Sequence, residues 1–579
     1  MASTMHLTLA DYLVIVGYFV VILVIGIWIK RSQKTSADFF AGGHQIPWWM
    51  AGISHYMSSF SAFAFIVYSQ MAYTYGWVAV TIFWTGVPAC LLGGLLFARR
   101  WRRARVITPI AFLEQRCNAS IRQLYVWIGI PSKLFDCGLK IFATAIFLSV
   151  SVGLRLDLSI LLCGGIVVAY TLTGGLFALV VADYVQFLMK TIAILLLLPL
   201  ALWHLGGVKD AFTGIPPEMF HLTAAPYNWL YVLGYAVVVV LSYNGNWSLA
   251  QKYYSVPDER SADKAAYLSG ALMFLGSPLM FLPAILARKF LPDLVAQGKT
   301  ADVYVMMLMT LLPIGMIGVV VAAMFSATMA AVSSDLNAIA GVLTKDWYQR
   351  KWNPEASEGM LLLVGRLLTA VLGCIIMGLS LWLAHSHLQS IFQLMVTVLG
   401  VLVVPTLLPV LCLLIWRSLS AAGLICGLCS GLIVGVGMLL FDQVYLEHQH
   451  WTENALLAWQ GGAILLNTAA TLVGLYLGSK LWPAKGEERK RTDQFFDLLN
   501  TPVASSELGV NKTISHPGKI IGSTTVAVGA LLCAAGAISG IRMAQGIDLV
   551  CGSILLLIGV FSFYRGRRRE LQLQENHSQ

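Results

Sequence analysis

Apolar runs close to the ~20 residues that a helix needs to cross a bilayer recur at 10–29, 47–72, 77–98, 123–153, 157–178, 182–205, 228–250, 266–288, 313–343, 360–384, 389–416, 420–440, 458–480, 521–541 and 546–564. The pattern predicts an all-α polytopic membrane protein with about fifteen spans. Three of these runs are interrupted by polar residues. The second carries Gly52, Ser54, His55, Ser58, Ser59 and Ser61 before turning fully apolar, and the seventh places Asn244, Gly245 and Asn246 in mid-membrane. Both predict broken helices, whose unwound backbone exposes carbonyls able to hold a cation. The ninth contains FSATMAAVSSDLNAIAGVLTKDWY. An ionised Asp near the bilayer centre costs about 2.5 to 3.5 kcal/mol, so this run predicts a cavity, a partner or an ion path.

The two broken spans lie five apart. An odd offset is the one expected of two inverted five-helix repeats, spans 2–6 and 7–11. The division that follows is a peripheral N-terminal helix and loop at 1–46, repeats at 47–205 and 206–416, peripheral helices at 417–484, a polar cytoplasmic linker at 485–520, and two C-terminal helices with a basic tail at 521–579.

Composition fits: 58% of the 579 residues are hydrophobic and only 11% charged, about half the charge of soluble domains. The net charge of +10 sits in clusters at Lys30–Lys34, Arg99–Arg105, Lys345–Lys351, Lys485–Arg491 and Arg565–Arg569, which fall on one side of the predicted spans. The positive-inside rule makes that side cytoplasmic, with the N-terminus outside and the C-terminus inside an inner or plasma membrane. The charge is therefore topological and gives no reason to expect nucleic acid. The first run lacks a basic leader and a cleavage site, so it is read as a span. The ten cysteines show no disulfide or zinc spacing, and Cys426 and Cys429, beside glycines, read as small packing residues. No H-E-x-x-H or filter-like repeat points to an enzyme or a channel.

Charged residues inside the apolar runs are the candidate chemistry. Lys133, Asp136 and Lys140 share one helix face and predict an internal ion pair. Asp335 pairs with a basic group or lines a vestibule. His55 is either a satisfied neutral histidine or a proton exchanger. Asp183 is read in two ways, as a carboxylate at a helix start beside the N-terminal dipole or as a cation ligand.

In order along the chain, DYLVIVGYFVVILVIGIW with DFFAGG, YTLTGGLFALVVADYVQ at 170–186, LPIGMIGVVVAAMFSATMAAVSSDLNAIAGVLTKDWY at 312–348, LLIWRSLSAAGLICGLCSG at 413–431 and QFFDLLNTPV at 494–503 resemble the sodium/solute symporter family, which includes sodium-coupled sugar, proline, monocarboxylate and sialic acid carriers. The resemblance implies a LeuT-like core with sodium as coupling ion and no organic cofactor. It puts the main sodium site at the carbonyls of Ser54, Met57 and Ala327 and the side chains at 330 and 331. These are Ala330 and Ala331 here, where the family has hydroxyls. An alternative register puts Ser333 and Ser334 there and breaks the match at Asn337. A second sodium site, present in some members, falls on Asp183, Ser333 and Ser334, with all three oxygens present.

The Gln, Glu and Lys of the family's hexose pocket are mostly absent, so the expected solute is a small polar molecule other than a simple glucose-type ligand. It is a sugar, sugar derivative or organic acid held by residues from Tyr56, Ser58, Ser61, Tyr75, Asn246, Trp247, Gln393 and Thr397. The expected function is solute import by alternating access through a lipid bilayer, sodium-coupled through Asp183, Ser333 and Ser334. The alternatives are a proton-coupled or cation-independent carrier, and a transporter-like receptor. Sequence leaves the solute, the stoichiometry and the oligomeric state open.

Overall fold

The computed structural model describes residues 9–30, 35–312, 317–386, 391–442, 451–504, 507, 517–538 and 542–578. They are nearly all helical. In chain order the principal helices are α1 (Leu9–Lys30), α2 (Trp48–Ser58), α3 (Ala62–Tyr75), α4 (Val78–Arg103), α5 (Ala119–Val152), α6 (Leu156–His204), α7 (Trp229–Gly245), α8 (Trp247–Tyr254), α9 (Glu259–Phe290), α10 (Val303–Leu311), α11 (Ile317–Val342), α12 (Glu358–His385), α13 (Ile391–Ile415), α14 (Ala421–Phe441), α15 (Glu453–Leu481), α16 (Gly486–Asn500), α17 (Pro517–Ile538) and α18 (Arg542–Ser578). Seven of the described helices are long and apolar enough to cross a membrane, and five shorter apolar ones accompany them.

The centre of the bundle is α11, whose described residues from Gly318 to Val342 are all buried. It packs against α1, α2, α5, α6, α8 and α12. That full enclosure explains how FSATMAAVSSDLNAIAG tolerates polar residues: each faces protein rather than lipid. Outside this core, α15 crosses α7 where Gly234 meets Gly461, and a Cβ on Gly234 would lie 2.5 Å from the Gly461 carbonyl oxygen. Only a glycine pair allows so close a crossing. Helix α17 pairs with α18 and leans on α1.

Two boundaries differ from expectation. The fifth and sixth apolar runs are two helical arms of α6, Leu156–Leu172 and Gly174–His204, but the break between them, expected near 178–182, lies at Gly175 (φ 54°, ψ −172°). Only glycine takes that backbone at low cost, whereas Leu176–Ala182 offers nothing that breaks a helix. The Tyr170 hydroxyl bridges the bend by donating to the Ala178 carbonyl (2.9 Å). Within the stretch expected as a polar linker, Gly486–Asn500 is the helix α16. Thr492, Phe495 and Leu499 recur at helical spacing and are buried, with Phe495 stacked on Phe112 at 5.8 Å. The 3.6-residue period, masked by surrounding charge, is what makes α16. Residues 505–506 and 508–516 of that stretch lie outside the described residues.

Candidate functional site

Two helix breaks face one another across the core. The first lies between α2 and α3, where Ser61 is extended (φ −149°, ψ 172°). The Ala62 N–H that opens α3 donates to the Thr328 hydroxyl of α11 (2.9 Å), and Thr328 and Thr144 share a hydrogen bond of 2.7 Å. The second is Asn246, also extended (φ −61°, ψ 134°), whose side-chain oxygen accepts from the Ser248 N–H (3.2 Å) and so caps α8. Asn is a strong N-cap because its side chain replaces the missing intrahelical partner.

A cavity of about 180 Å³ opens at both breaks. Ser58, Ser61 and Asn246 line it with the aromatic rings of Tyr68, Phe83 and Tyr235. The Tyr68 and Tyr235 hydroxyls are hydrogen-bonded (2.9 Å), which fixes both rings. Asp136 and Lys140 reach the same wall, 2.7 Å apart. Trp247 packs over Gly129 beside a second cavity of about 80 Å³ that also touches Asn246.

Beneath the cavity run two charge clusters. Asp335 receives Lys133 Nζ (3.1 Å) and the Ser248 hydroxyl (2.7 Å) on Oδ1, and Lys140 Nζ (3.2 Å) on Oδ2. The extra acid of the ninth run is thus paired with the face expected to carry an internal ion pair. Lys133 also donates to the Asn246 side chain, tying this cluster to the break. In the second cluster the Asp183 carboxylate accepts from the Ser54 hydroxyl and lies 3.9 Å from Lys252 Nζ. Lys252 donates to Ser334 Oγ (3.1 Å), and Ser58 donates to the same oxygen (3.2 Å). Gln186, with its amide turned to satisfy its neighbours, donates to Asp183 Oδ1 (3.3 Å).

The residues expected to bind a cation divide accordingly. Asp183 accepts from Ser54 and is linked to Ser334 through Lys252, while the Ser333 hydroxyl turns back to the Ala330 carbonyl (3.5 Å). Asp183 is not at a helix start: it lies eight residues past the Gly175 bend and is fully enclosed. A dipole effect confined to the first turn does not reach it, so that reading is corrected. Met57, Ala327, Ala330 and Ala331 are buried where α2 meets α11, and the Met57 carbonyl accepts from the Phe60 N–H (3.1 Å).

Of the residues expected to hold solute, Ser58, Ser61 and Asn246 line the cavity. Tyr56 lies below it against Phe60 (4.9 Å), and Tyr75 sits at the far end of α3 against Tyr227 (5.2 Å). The side chains of Gln393 and Thr397 lie outside the described residues. His55 is stacked on Tyr253 (5.0 Å), with Nε2 donating to the Tyr243 carbonyl (3.1 Å) and Nδ1 3.0 Å from the Ser269 hydroxyl. A carbonyl only accepts, so Nε2 carries a proton, and both ring nitrogens of His55 have partners in the core.

Sequence reasoning passed over Lys252 and Lys190. Lys252 stood just beyond the end assigned to the seventh run, and Lys190 stood inside the sixth, where a lone charge is itself a signal. Lys190 is buried with its ammonium over the rings of Tyr56 (3.8 Å) and Phe60 (3.2 Å). The DFFAGG mark also gains a role. Asn337 donates to the Phe39 carbonyl (3.3 Å) and accepts from Gln251 (3.0 Å), locking that segment to α8 and α11.

The sequence profile of the Sodium:solute symporter family matches residues 39–431. The chain belongs to that family. Among its relatives, this symporter is 24% identical over 414 residues to the sodium/sialic acid symporter SiaT of Proteus mirabilis, covering 68% of this chain and 82% of the relative. It is 26% identical over 467 residues to a sodium/glucose cotransporter of Vibrio parahaemolyticus, covering 74% and 84%. A solved structure of a substrate-bound, outward-open Na+-coupled sialic acid symporter superposes with a TM-score of 0.70 at 20% identity, covering 83% of this chain and 99% of that one. The symporter therefore has the LeuT-like fold expected from its sequence.

Proposed function

We propose that this symporter imports a small polar solute, a sugar, sugar derivative or organic acid, by alternating access across a cell membrane, with its N-terminus outside and its C-terminus in the cytoplasm. The observation that carries this reading is the cavity at the two helix breaks. Its aromatic rings suit the apolar faces of a sugar-like ring, and its hydroxyls, Asn246 and the Asp136–Lys140 pair supply partners for polar substituents. The names of the relatives, carriers of sialic acid and of glucose, point to the same class.

Proteoliposomes test it by counterflow, in which unlabelled solute inside drives entry of labelled sialic acid or glucose without an ion gradient. Wild-type protein is expected to exchange at least one of them. Val239→Trp, which fills the cavity from α7, is expected to cut exchange at least ~10-fold, the size of effect that ~1.4 kcal/mol of lost binding produces. Stabilisation by solute without counterflow would instead establish a receptor.

The resemblance implies a coupling sodium at Asp183, Ser333 and Ser334, with a main site depleted by the methyl groups of Ala330 and Ala331. A hard cation needs oxygen ligands, so Ala330→Ser with Ala331→Ser is expected to raise the stimulation of transport by sodium at least ~3-fold over that of the wild type. An unchanged sodium dependence in the folded double variant would place the main site elsewhere.

A further inference from the structure

Between Asp183 and Ser334 a side chain of the protein already stands. Lys252 Nζ lies 3.1 Å from Ser334 Oγ and 3.9 Å from Asp183 Oδ2, and Ser54 bonds that same carboxylate oxygen. Lys252 is wholly enclosed and Asp183 nearly so. The break at Asn246 is what brings the lysine there. It starts α8 inside the core, so that all residues from Trp247 to Tyr254 are buried. Ser248 and Lys252, four apart on one helix face, meet Asp335 and Ser334 of α11.

We propose that the ammonium of Lys252 is the resident cation of the Asp183–Ser334 site, a tethered replacement for sodium, and that this carrier does not bind sodium there. An ammonium carries the same unit charge as sodium, and here it donates to Ser334 Oγ and stands 3.9 Å from Asp183 Oδ2, two of the three groups expected to take sodium as ligands. Charge balance points the same way. The described carboxylates in the middle of the bundle are Asp136, Asp183 and Asp335, and each has a lysine: Lys140 at 2.7 Å, Lys252 at 3.9 Å and Lys133 at 3.1 Å. Lys190 adds a fourth buried amine, held over aromatic faces. No described carboxylate in that region is left to balance a sodium ion, and a sodium placed at Asp183 would stand beside a like charge with little water to screen it. The depleted main site supplies no substitute, because positions 330 and 331 present methyl groups. A tethered cation holds α2, α6 and α11 together without being released on either side of the membrane.

The inference rests on the carrier reading, but its test does not use transport. Purified wild-type protein, Lys252→Ala, and the double variant Lys252→Ala with Asp183→Asn are compared for binding of radioactive sodium and for unfolding temperature in sodium, potassium and choline chloride. The expected result is no saturable sodium binding by the wild type and equal unfolding temperatures in sodium and potassium. Lys252→Ala, with an unpaired carboxylate, is expected to bind about one sodium per chain and to gain about 2 °C or more in sodium over potassium. The double variant is expected to lose both responses. Saturable sodium binding by the wild type overturns the inference, even if Lys252→Ala fails to fold. A folded Lys252→Ala that binds no sodium overturns it too. Counterflow judges the carrier reading separately: exchange lost in every ion defeats that reading and leaves the sodium result standing.

Discussion

Asp335→Asn is expected to remove most of the folded protein from the membrane. The wild-type carboxylate accepts from Lys133 (3.1 Å), Lys140 (3.2 Å) and Ser248 (2.7 Å), and only 1% of the residue is exposed. Lys140 keeps Asp136, but Lys133 is left with no described carboxylate partner, only the Asn246 side chain. Stranding one member of a buried pair costs about 3–5 kcal/mol, a large share of a total stability of about 5–15 kcal/mol. The measurement is the yield of monodisperse protein after detergent extraction, expected to fall at least ~10-fold. Lys133→Met in the same chain removes the stranded charge and is expected to restore most of that yield. Normal yield from Asp335→Asn alone would show that the cluster contributes little to folding.

Asp183→Asn is expected to abolish transport at matched protein levels, whereas Ser54→Ala is expected to reduce it only partly. Both residues belong to one hydrogen bond, yet they contribute differently. Removing the Ser54 hydroxyl loses one bond to a charged acceptor, about 1.5–3 kcal/mol. Removing the Asp183 charge leaves Lys252 without its carboxylate in a site closed to water, about 3–5 kcal/mol, and releases α8 from α6. Counterflow in vesicles compares the two variants, and equal rates would mean that the charge of Asp183 has no part in the cycle. The Lys252→Met partner variant separates a stranded charge from a lost function, because it restores folding without restoring the pair.

Helices were legible because hydropathy over some twenty residues reflects a local constraint, the satisfaction of backbone groups within the segment. The two breaks were legible for a similar reason: serine and asparagine clustered in an apolar run compete with the helix for its own hydrogen bonds. The order of short motifs gave the family, now matched over residues 39–431. Asp183 and Ser334 were grouped by that resemblance, and each lies within 3.9 Å of one nitrogen, Lys252 Nζ.

That nitrogen was not legible. Lys252 lies near the end of an apolar run, where a lysine ordinarily reaches for the interface. Its inward course follows from the bend at Asn246 and from the serine and aspartate that other helices bring to meet it. The same limit applies to Asp335, whose three partners are 195, 202 and 87 residues away in sequence, and to the position of the break in α6, which a single glycine set a few residues earlier than hydropathy did. Sequence by itself determined the membrane setting, the helices, the broken positions and the family, because each depends on short-range chemistry. The tertiary structure alone decided which charges neutralise one another and what stands at the cation site, because in a low-dielectric core those outcomes depend on distances between helices remote in sequence.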